Sequence, residues 1–338
     1  MTLLDVFQRE IETIRTHQCG VLDGERGSIH DARIATRRIR EVLPLTHQWQ
    51  RRDRADQLYT MVKRMGRSLG RVRDADVRIE LLRYLEARIP HAAPSLVLVR
   101  QRKEQQRLRI MRKLVKRFER LGVDRELAHL AAVAPWRKTS MWSARTGRWR
   151  EELRRCVEER AGAAADAVTR ATGVYFPRRV HAARIEIKKF RYATEIAVET
   201  SLVGSSAPVR TLKKSQDLLG DLHDRQELID ELREAAASDP RIDPSHIALV
   251  AQVVEADIAD LHTRFLQRRG QIHDACEAIR AQIRRPAVGV RAAALAGAVA
   301  VVTGFEARRR LLRRRRERVP EMAVAIRMPV PLPDLVAK

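Results

Sequence analysis

The chain has 338 residues and is strongly basic, with 67 lysines and arginines against 43 aspartates and glutamates and a net charge of +24. A charge of this sign and size indicates a polyanionic partner. Aromatic residues make up only 4% of the chain, which argues against a protein that stacks unpaired bases on aromatic side chains. The composition therefore favours contact with phosphates over contact with bases.

Neither the cysteines nor the first residues indicate export. Cys19, Cys156 and Cys276 lie far apart and form no Cys-x-x-Cys pair, so they predict neither a disulfide framework nor a zinc ribbon. The N-terminus carries Asp5 and lacks the basic region and long apolar stretch of a signal peptide. We therefore expect a cytoplasmic protein.

Helical periodicity dominates the chain, and no alternating apolar and polar stretch competes with it, so the predicted fold class is all-α. Glycines and prolines separate the predicted helices of the first half, and Pro44 is expected to bend or end the second of them. These helices span residues 2–20, 28–48, 54–72, 75–89, 95–120 and 124–134.

The tryptophan-containing stretch 135–147 predicts a junction between two halves. Helical patterns resume after it and cover residues 149–172, 180–200, 208–222, 225–237 and 245–284. We expect three segments, which are residues 1–145, 146–285 and 286–338.

A basic motif occurs twice, 151 residues apart. The sequence His30-Asp-Ala-Arg33-Ile-Ala-Thr-Arg37-Arg38-Ile-Arg40 returns as His181-Ala-Ala-Arg184-Ile-Glu-Ile-Lys188-Lys189-Phe-Arg191. At roughly 100° per residue, His30, Arg33, Arg37 and Arg40 share one helix stripe, and Ala32, Ala35 and Ile39 lie opposite. One face is predicted to pack and the other to present positive charge.

A second motif repeats at an offset of 150 residues. Lys63-Arg64-Met-Gly-Arg67-Ser-Leu69-Gly70-Arg-Val-Arg73-Asp74 corresponds to Lys213-Lys214-Ser-Gln-Asp217-Leu-Leu219-Gly220-Asp-Leu-His223-Asp224. A single basic helix is usually a solvated face, but two motifs repeated at nearly one offset favour a shared function. Asp74 and Asp224 are expected to cap the next helix, or alternatively to orient an arginine.

The pattern His-x-x-Arg-Ile-x-x-basic-basic-x-Arg, followed by Leu-Gly-x-x-x-Asp, resembles the CHAD family, named for its conserved histidine α-helical domain. The resemblance covers about residues 1–285. It implies two antiparallel helical bundles related by a pseudo-twofold, with a basic groove or pore between them that binds inorganic polyphosphate. It also implies association with polyphosphate granules. Glu10-Ile-Glu12 is followed by Thr13 and Ile14, so the Glu-x-Glu-x-Lys signature of the triphosphatase domain is missing and the chain looks like a stand-alone member.

We expect a non-catalytic polyphosphate-binding protein that needs no metal and no cofactor. Arginine grips phosphate oxygens with a planar fork, lysine supplies a point charge, and successive helical turns repeat about every 5 Å along an extended polyanion. The predicted binding residues are His30, Arg33, Arg37, Arg38, Arg40, Lys63, Arg64, Arg67, His181, Arg184, Lys188, Lys189, Arg191, Lys213 and Lys214.

Two other functions stay open. The adjacent pairs His30-Asp31 and His223-Asp224 are compatible with a metal-dependent phosphohydrolase, and the basic faces are compatible with nucleic acid, which we expect only as a competing polyanion. His30 and His181 are interpreted as phosphate donors rather than metal ligands or general acids, because arginines lie one and two turns away. The alternative is a helix-end histidine that bonds a backbone carbonyl.

The C-terminal segment departs from the repeat. Residues 292–305 are apolar but number only 14, whereas a membrane span needs about 20, so a packed helix competes with a membrane-associated one. Residues 306–318 contain eight arginines and two glutamates. This arm is expected to touch an anionic membrane or a granule surface.

Overall fold

A computed structural model describes residues 2–46, 52–122 and 141–284. The predicted all-α class is confirmed, because the described residues form α-helices and short 3-10 turns with no strand among them. The α-helices are α1 Leu3–Thr16, α2 Gln18–Leu22, α3 Arg26–Val42, α4 Arg52–Arg88, α5 Ala93–Leu121, α6 Met141–Arg170, α7 Pro177–Glu199, α8 Ala207–Ser238 and α9 Pro244–Arg284.

Two predicted helix breaks are wrong. Residues 54–72 and 75–89 belong to the single helix α4, and residues 208–222 and 225–237 belong to the single helix α8. Gly70 and Gly220 therefore lie inside helices, where a glycine costs only about 1 kcal/mol relative to alanine. In α4 the buried apolar face continues past Gly70 through Val72, Ile79 and Leu82, and its packing outweighs that cost.

Because both helices are continuous, Asp74 and Asp224 do not act as N-caps. Pro44 was predicted to bend or end the second helix, and the structure agrees with this. Helix α3 ends at Val42, just before Pro44, and a 3-10 turn over Leu43–Thr46 follows. The predicted segments 124–134 and 286–338 lie outside the described residues.

Helices of the same half pack on one another: α3 lies on α1 and α4, α4 lies on α5, α7 lies on α6 and α8, and α9 lies on α6 and α8. Contacts between the two halves join α3 to α7, α1 to α7 and α4 to α8. The described helices belong to one compact unit, Met1–Arg284. The two helices that carry the repeated motif thus meet where the halves meet, while the pseudo-twofold stays a prediction.

The motif helices point their apolar faces into the core, as predicted. Ala32, Ala35 and Ile39 of α3 are fully buried, and so are Ile187 and Phe190 of α7. Burying these faces turns the opposite, charged faces toward the boundary between the halves. None of the described helices has an apolar stretch long enough to cross a bilayer, and residues 287–305 are not among them.

Candidate functional site

A cavity of about 550 Å³ lies between α3, α4, α7 and α8. Five of the predicted binding residues line it, and they come from both copies of the motif. They are His30, Arg33, Arg37, Arg184 and Lys188.

Two further arginines of the cavity were missed by the sequence prediction. Arg73 and its repeat counterpart His223 both line the cavity. Because they occupy matching positions in the second repeated motif, the repeat could have identified both as binding residues. Arg78 also lines the cavity, but its counterpart at the same offset is Leu228. Nothing in the repeat could have identified Arg78.

Like charges are crowded against α3 and α7. The side chain of Arg33 is only 18% exposed, and its Nη2 lies 3.7 Å from Oδ1 of Asp74. Burial and the neighbouring Arg37 lower the pKa of Arg33 to about 10. Burial, Arg37 and Arg33 together lower the pKa of Lys188 to about 7. This crowding of like charges opposes folding.

The wall of the cavity that α8 contributes is acidic, whereas we expected a basic groove. The six arginines and lysines of the lining face five carboxylates, and four of these come from α8. Burial raises the pKa of both Asp221 and Asp224. The carboxylates of the lining are Asp74, Asp217, Asp221, Asp224 and Glu227. An anion in the cavity is therefore attracted to the side of α3 and α7.

Arg78 fixes this acidic wall in place. Its side chain is 5% exposed, and its Nη2 donates to Oε2 of Glu227 at 2.9 Å. Its Nη1 donates to the backbone carbonyl of Asp224. Because both partners belong to α8, Arg78 joins α4 to α8 across the boundary between the halves.

The histidines occupy different environments in the two halves. Burial and then Arg73 lower the pKa of His30. His181 packs against His223 with ring centroids 4.5 Å apart, and burial and Arg184 lower its pKa. The same two causes lower the pKa of His223 to about 4, so this imidazole is neutral at pH 7. Across the described ranges, no three His, Cys, Asp or Glu side chains are grouped closely enough to hold a metal ion.

Three predicted binding residues are engaged by other protein groups. Arg38 donates to Oε1 of Glu10 at 2.8 Å and to Oε1 of Glu199 at 2.6 Å. Nε of Arg191 donates to Gln216 at 2.9 Å, and Nζ of Lys189 donates to Glu186 at 2.7 Å. These side chains hold helices together or sit in surface ion pairs, and they do not line the cavity.

The remaining predicted residues also lie outside the cavity. Arg40 and Lys63 sit over the ring of Tyr59, at 5.7 Å and 5.9 Å from its centroid. Lys213 and Lys214 are exposed on α8. Arg64 and Arg67 line a different cavity with Arg117 and Arg120. The structure thus separates residues that the repeat alone placed together.

Replacing Arg38 by glutamine is expected to lower the free energy of unfolding by about 1–2 kcal/mol and to leave ligand affinity within about threefold. The cost stays moderate because Arg9 remains paired with Glu10 and Glu199. Thermal melting and a binding titration of the same variant test this separation. A large loss of affinity without a loss of stability would restore Arg38 to the binding site.

The fold and the cavity define an all-α protein in which two related basic helices line one cavity. A family model described as the CHAD domain matches residues 5–233. The chain therefore belongs to the CHAD domain family.

Several solved structures resemble this chain, among them the following two. The crystal structure of the CHAD domain from the plant Ricinus communis is 21% identical, with 85% of this chain and 93% of that chain covered and a TM-score of 0.49. PptA from Streptomyces chartreusis is 15% identical, with 84% of this chain and 98% of that chain covered and a TM-score of 0.50. At these identities the similarity concerns the fold. No curated protein matches the chain.

Proposed function

We propose that this protein binds inorganic polyphosphate in the cavity between α3 and α7. The observation that carries the proposal is a cluster of half-buried cations that no described carboxylate pairs with directly. Among the described side chains, no carboxylate lies within salt-bridge distance of Arg37, Arg184 or Lys188, although all three line the cavity. A bound anion would supply the missing negative charge.

The spacing of these cations fits an extended phosphate chain. Arg33 and Arg37, like Arg184 and Lys188, lie four residues apart, which is about 6 Å along a helix axis. Each arginine offers a planar fork to two phosphate oxygens. The two motif helices thus both present successive positive charges to one cavity.

The shape of the site favours polyphosphate over nucleic acid. A cavity of about 550 Å³ cannot enclose a duplex, because a duplex is wider than its own major groove, which is about 12 Å across. A single strand would need aromatic platforms for its bases, and the described residues of the lining include no Phe, Tyr or Trp. Inorganic polyphosphate needs neither. The resemblance to the CHAD family implies that such domains bind inorganic polyphosphate, and this supports the same ligand.

We also propose that binding is not followed by hydrolysis. The metal-dependent alternative needs several His, Asp or Glu side chains that converge on one ion, a grouping that the described residues do not provide. Binding without turnover suits a scaffold or a protein that associates with polyphosphate granules in the cytoplasm. The basic arm 306–318 would add contact with the granule surface.

A titration of the full chain with polyphosphates of defined length, pyrophosphate and single-stranded DNA tests the proposal. Polyphosphate is expected to bind most tightly, and free phosphate should not accumulate when Mg²⁺ or Mn²⁺ is added. Metal-dependent release of phosphate would show an enzyme. DNA that displaces polyphosphate at equal phosphate concentration would show a nucleic-acid-binding protein.

Binding is expected to weaken steeply with salt. If four cations neutralise phosphates, the logarithm of the affinity falls with the logarithm of salt concentration at a slope of about −3. An increase from 50 to 200 mM salt then lowers the affinity roughly 60-fold. The same titrations at four salt concentrations measure this slope. An affinity independent of salt would rule out the electrostatic mechanism.

A further inference from the structure

A second cavity, of about 440 Å³, lies between α4 and α5. Its described lining consists of Arg64 and Arg67 from α4 with Arg117, Arg120 and Leu121 from α5. All four arginines are exposed. The first cavity contains five carboxylates, whereas this one shows none among its described lining residues.

The packing of the two helices brings these arginines together. Met65 and Leu69 of α4 and Leu114 and Phe118 of α5 are buried, which fixes the facing surfaces of the two helices. Nη1 of Arg117 donates to a side-chain hydroxyl of α4, Oγ of Ser68, at 3.2 Å. Within the described chain, no carboxylate forms an ion pair with any of the four guanidinium groups. Four positive groups therefore converge without a countercharge from the described residues.

The second cavity is a neighbour of the first along α4. Arg67, Arg71, Asp74 and Arg78 recur at intervals of four, three and four residues, which places them on one face of this helix. Arg67 lines the second cavity, while Asp74 and Arg78 line the first. Arg67 and Asp74 are seven positions apart, which is about 10 Å along the axis, and the exposed Arg71 lies between them.

We propose that the second cavity binds a further stretch of the polyphosphate chain held in the first cavity. A chain longer than the first cavity can accommodate would continue along α4 to the four arginines. The inference rests on the proposed function and adds to it a preference for long chains. Once the first stretch is bound, the second stretch binds at a high effective concentration, so the affinity per chain increases with chain length.

The ligand class follows from the donors. Arginine forks bind phosphate oxygens in pairs, and the described lining, which is four arginines and one leucine, offers no aromatic side chain on which a base could stack. An unbranched chain of phosphates fits both this cavity and the stretch past Arg71. A nucleic acid would have to present its phosphates to two cavities while its bases find no stacking partner.

The experiment compares the affinities of tripolyphosphate and of a long polyphosphate, about 45 phosphates, for the full chain. The test variant is Arg117→Gln with Arg120→Gln. The matched control is Arg109→Gln with Arg112→Gln, which removes the same charge at the same spacing from exposed positions of α5 that line neither cavity. Circular dichroism confirms that the variants, all at exposed positions, are folded.

In the wild type and in the control, we expect the long chain to bind at least tenfold more tightly than tripolyphosphate. In the test variant, the ratio of the two affinities is expected to fall at least tenfold. The second site is overturned if the ratio of the two affinities in the test variant equals that of the wild type. It is also overturned if the ratio falls as much in the control as in the test variant. Failure of the proposed function looks different: an Arg37→Gln, Lys188→Gln variant would then bind tripolyphosphate as the wild type does.

Discussion

Replacing Arg37 and Lys188 together by glutamine is expected to weaken polyphosphate binding at least 100-fold. Each side chain is half-buried in the cavity, and neither pairs with a carboxylate among the described residues. A hydrogen bond to a charged group contributes about 1.5–3 kcal/mol, so the loss of two such contacts corresponds to about 3 kcal/mol or more, and each 1.4 kcal/mol is a factor of ten.

The matched comparison is Lys213→Gln with Lys214→Gln, which also removes two positive charges. These lysines are exposed on α8 and line neither cavity, so their loss is expected to change the affinity less than about fivefold. Isothermal titration of both double variants at one salt concentration makes the comparison. Equal losses would mean that net charge, rather than the cavity, governs binding.

Much of the fold and part of the site were predictable because local helix periodicity decides them. The apolar stripe through Ala32 and Ile39 required a buried face on α3, and the 100° spacing then placed Arg33 and Arg37 on the opposite face. The same reasoning applies to Arg184 and Lys188 on α7. These four residues line the cavity, and the repeated motif together with the helix periodicity predicted all four.

The parts that were missed depend on residues distant in the chain. Arg38 belongs to the same motif as Arg37, yet it lies about 100° further around the helix and meets Glu199, which is 161 residues away. Asp217 and Asp221 of α8 form much of the acidic wall, although the motif comparison read this stretch only as a counterpart of basic α4. A single-chain pattern shows which face a residue occupies, and only the packing shows what that face meets.

The binding of polyphosphate is expected to depend on pH through Lys188. In the free protein, burial and the charges of Arg37, Arg33 and Arg184 lower its pKa to about 7, although Asp74 opposes this effect. A bound anion favours the protonated amine and raises this pKa, so binding above pH 7 takes up a proton. The affinity then falls as the pH rises above 7, by up to tenfold per unit. Between pH 6 and pH 9 the expected decrease is on the order of 100-fold.

Other titrating groups act elsewhere on the pH scale. The lowered pKa values of His30 and His181 move any contribution from these histidines below their usual range near 6.5. A long polyphosphate titrates in this range only at its two ends, and its interior phosphates stay ionised, so the charge of the ligand is nearly constant from pH 7 to 9. Titrations over this range with wild type and Lys188→Arg, whose guanidinium stays protonated, isolate the lysine. An equally steep decline in the Lys188→Arg variant would assign the pH dependence to another group.

The same pKa predicts how stability depends on pH in the free protein. The unfolded chain holds a proton on Lys188 up to about pH 10.5, whereas the folded chain releases it near pH 7. Because the unfolded state binds more protons between these values, the free energy of unfolding rises with pH in this window, by up to about 1.4 kcal/mol per unit. Lys188→Met should remove this contribution and melt roughly 2–8 °C higher than wild type at pH 7, while binding polyphosphate more weakly. Thermal melts of both proteins from pH 7 to 10 measure the effect. A Lys188→Met variant with an unchanged slope and melting temperature would mean that Lys188 is ordinarily protonated and that the crowding of positive charge costs the fold nothing.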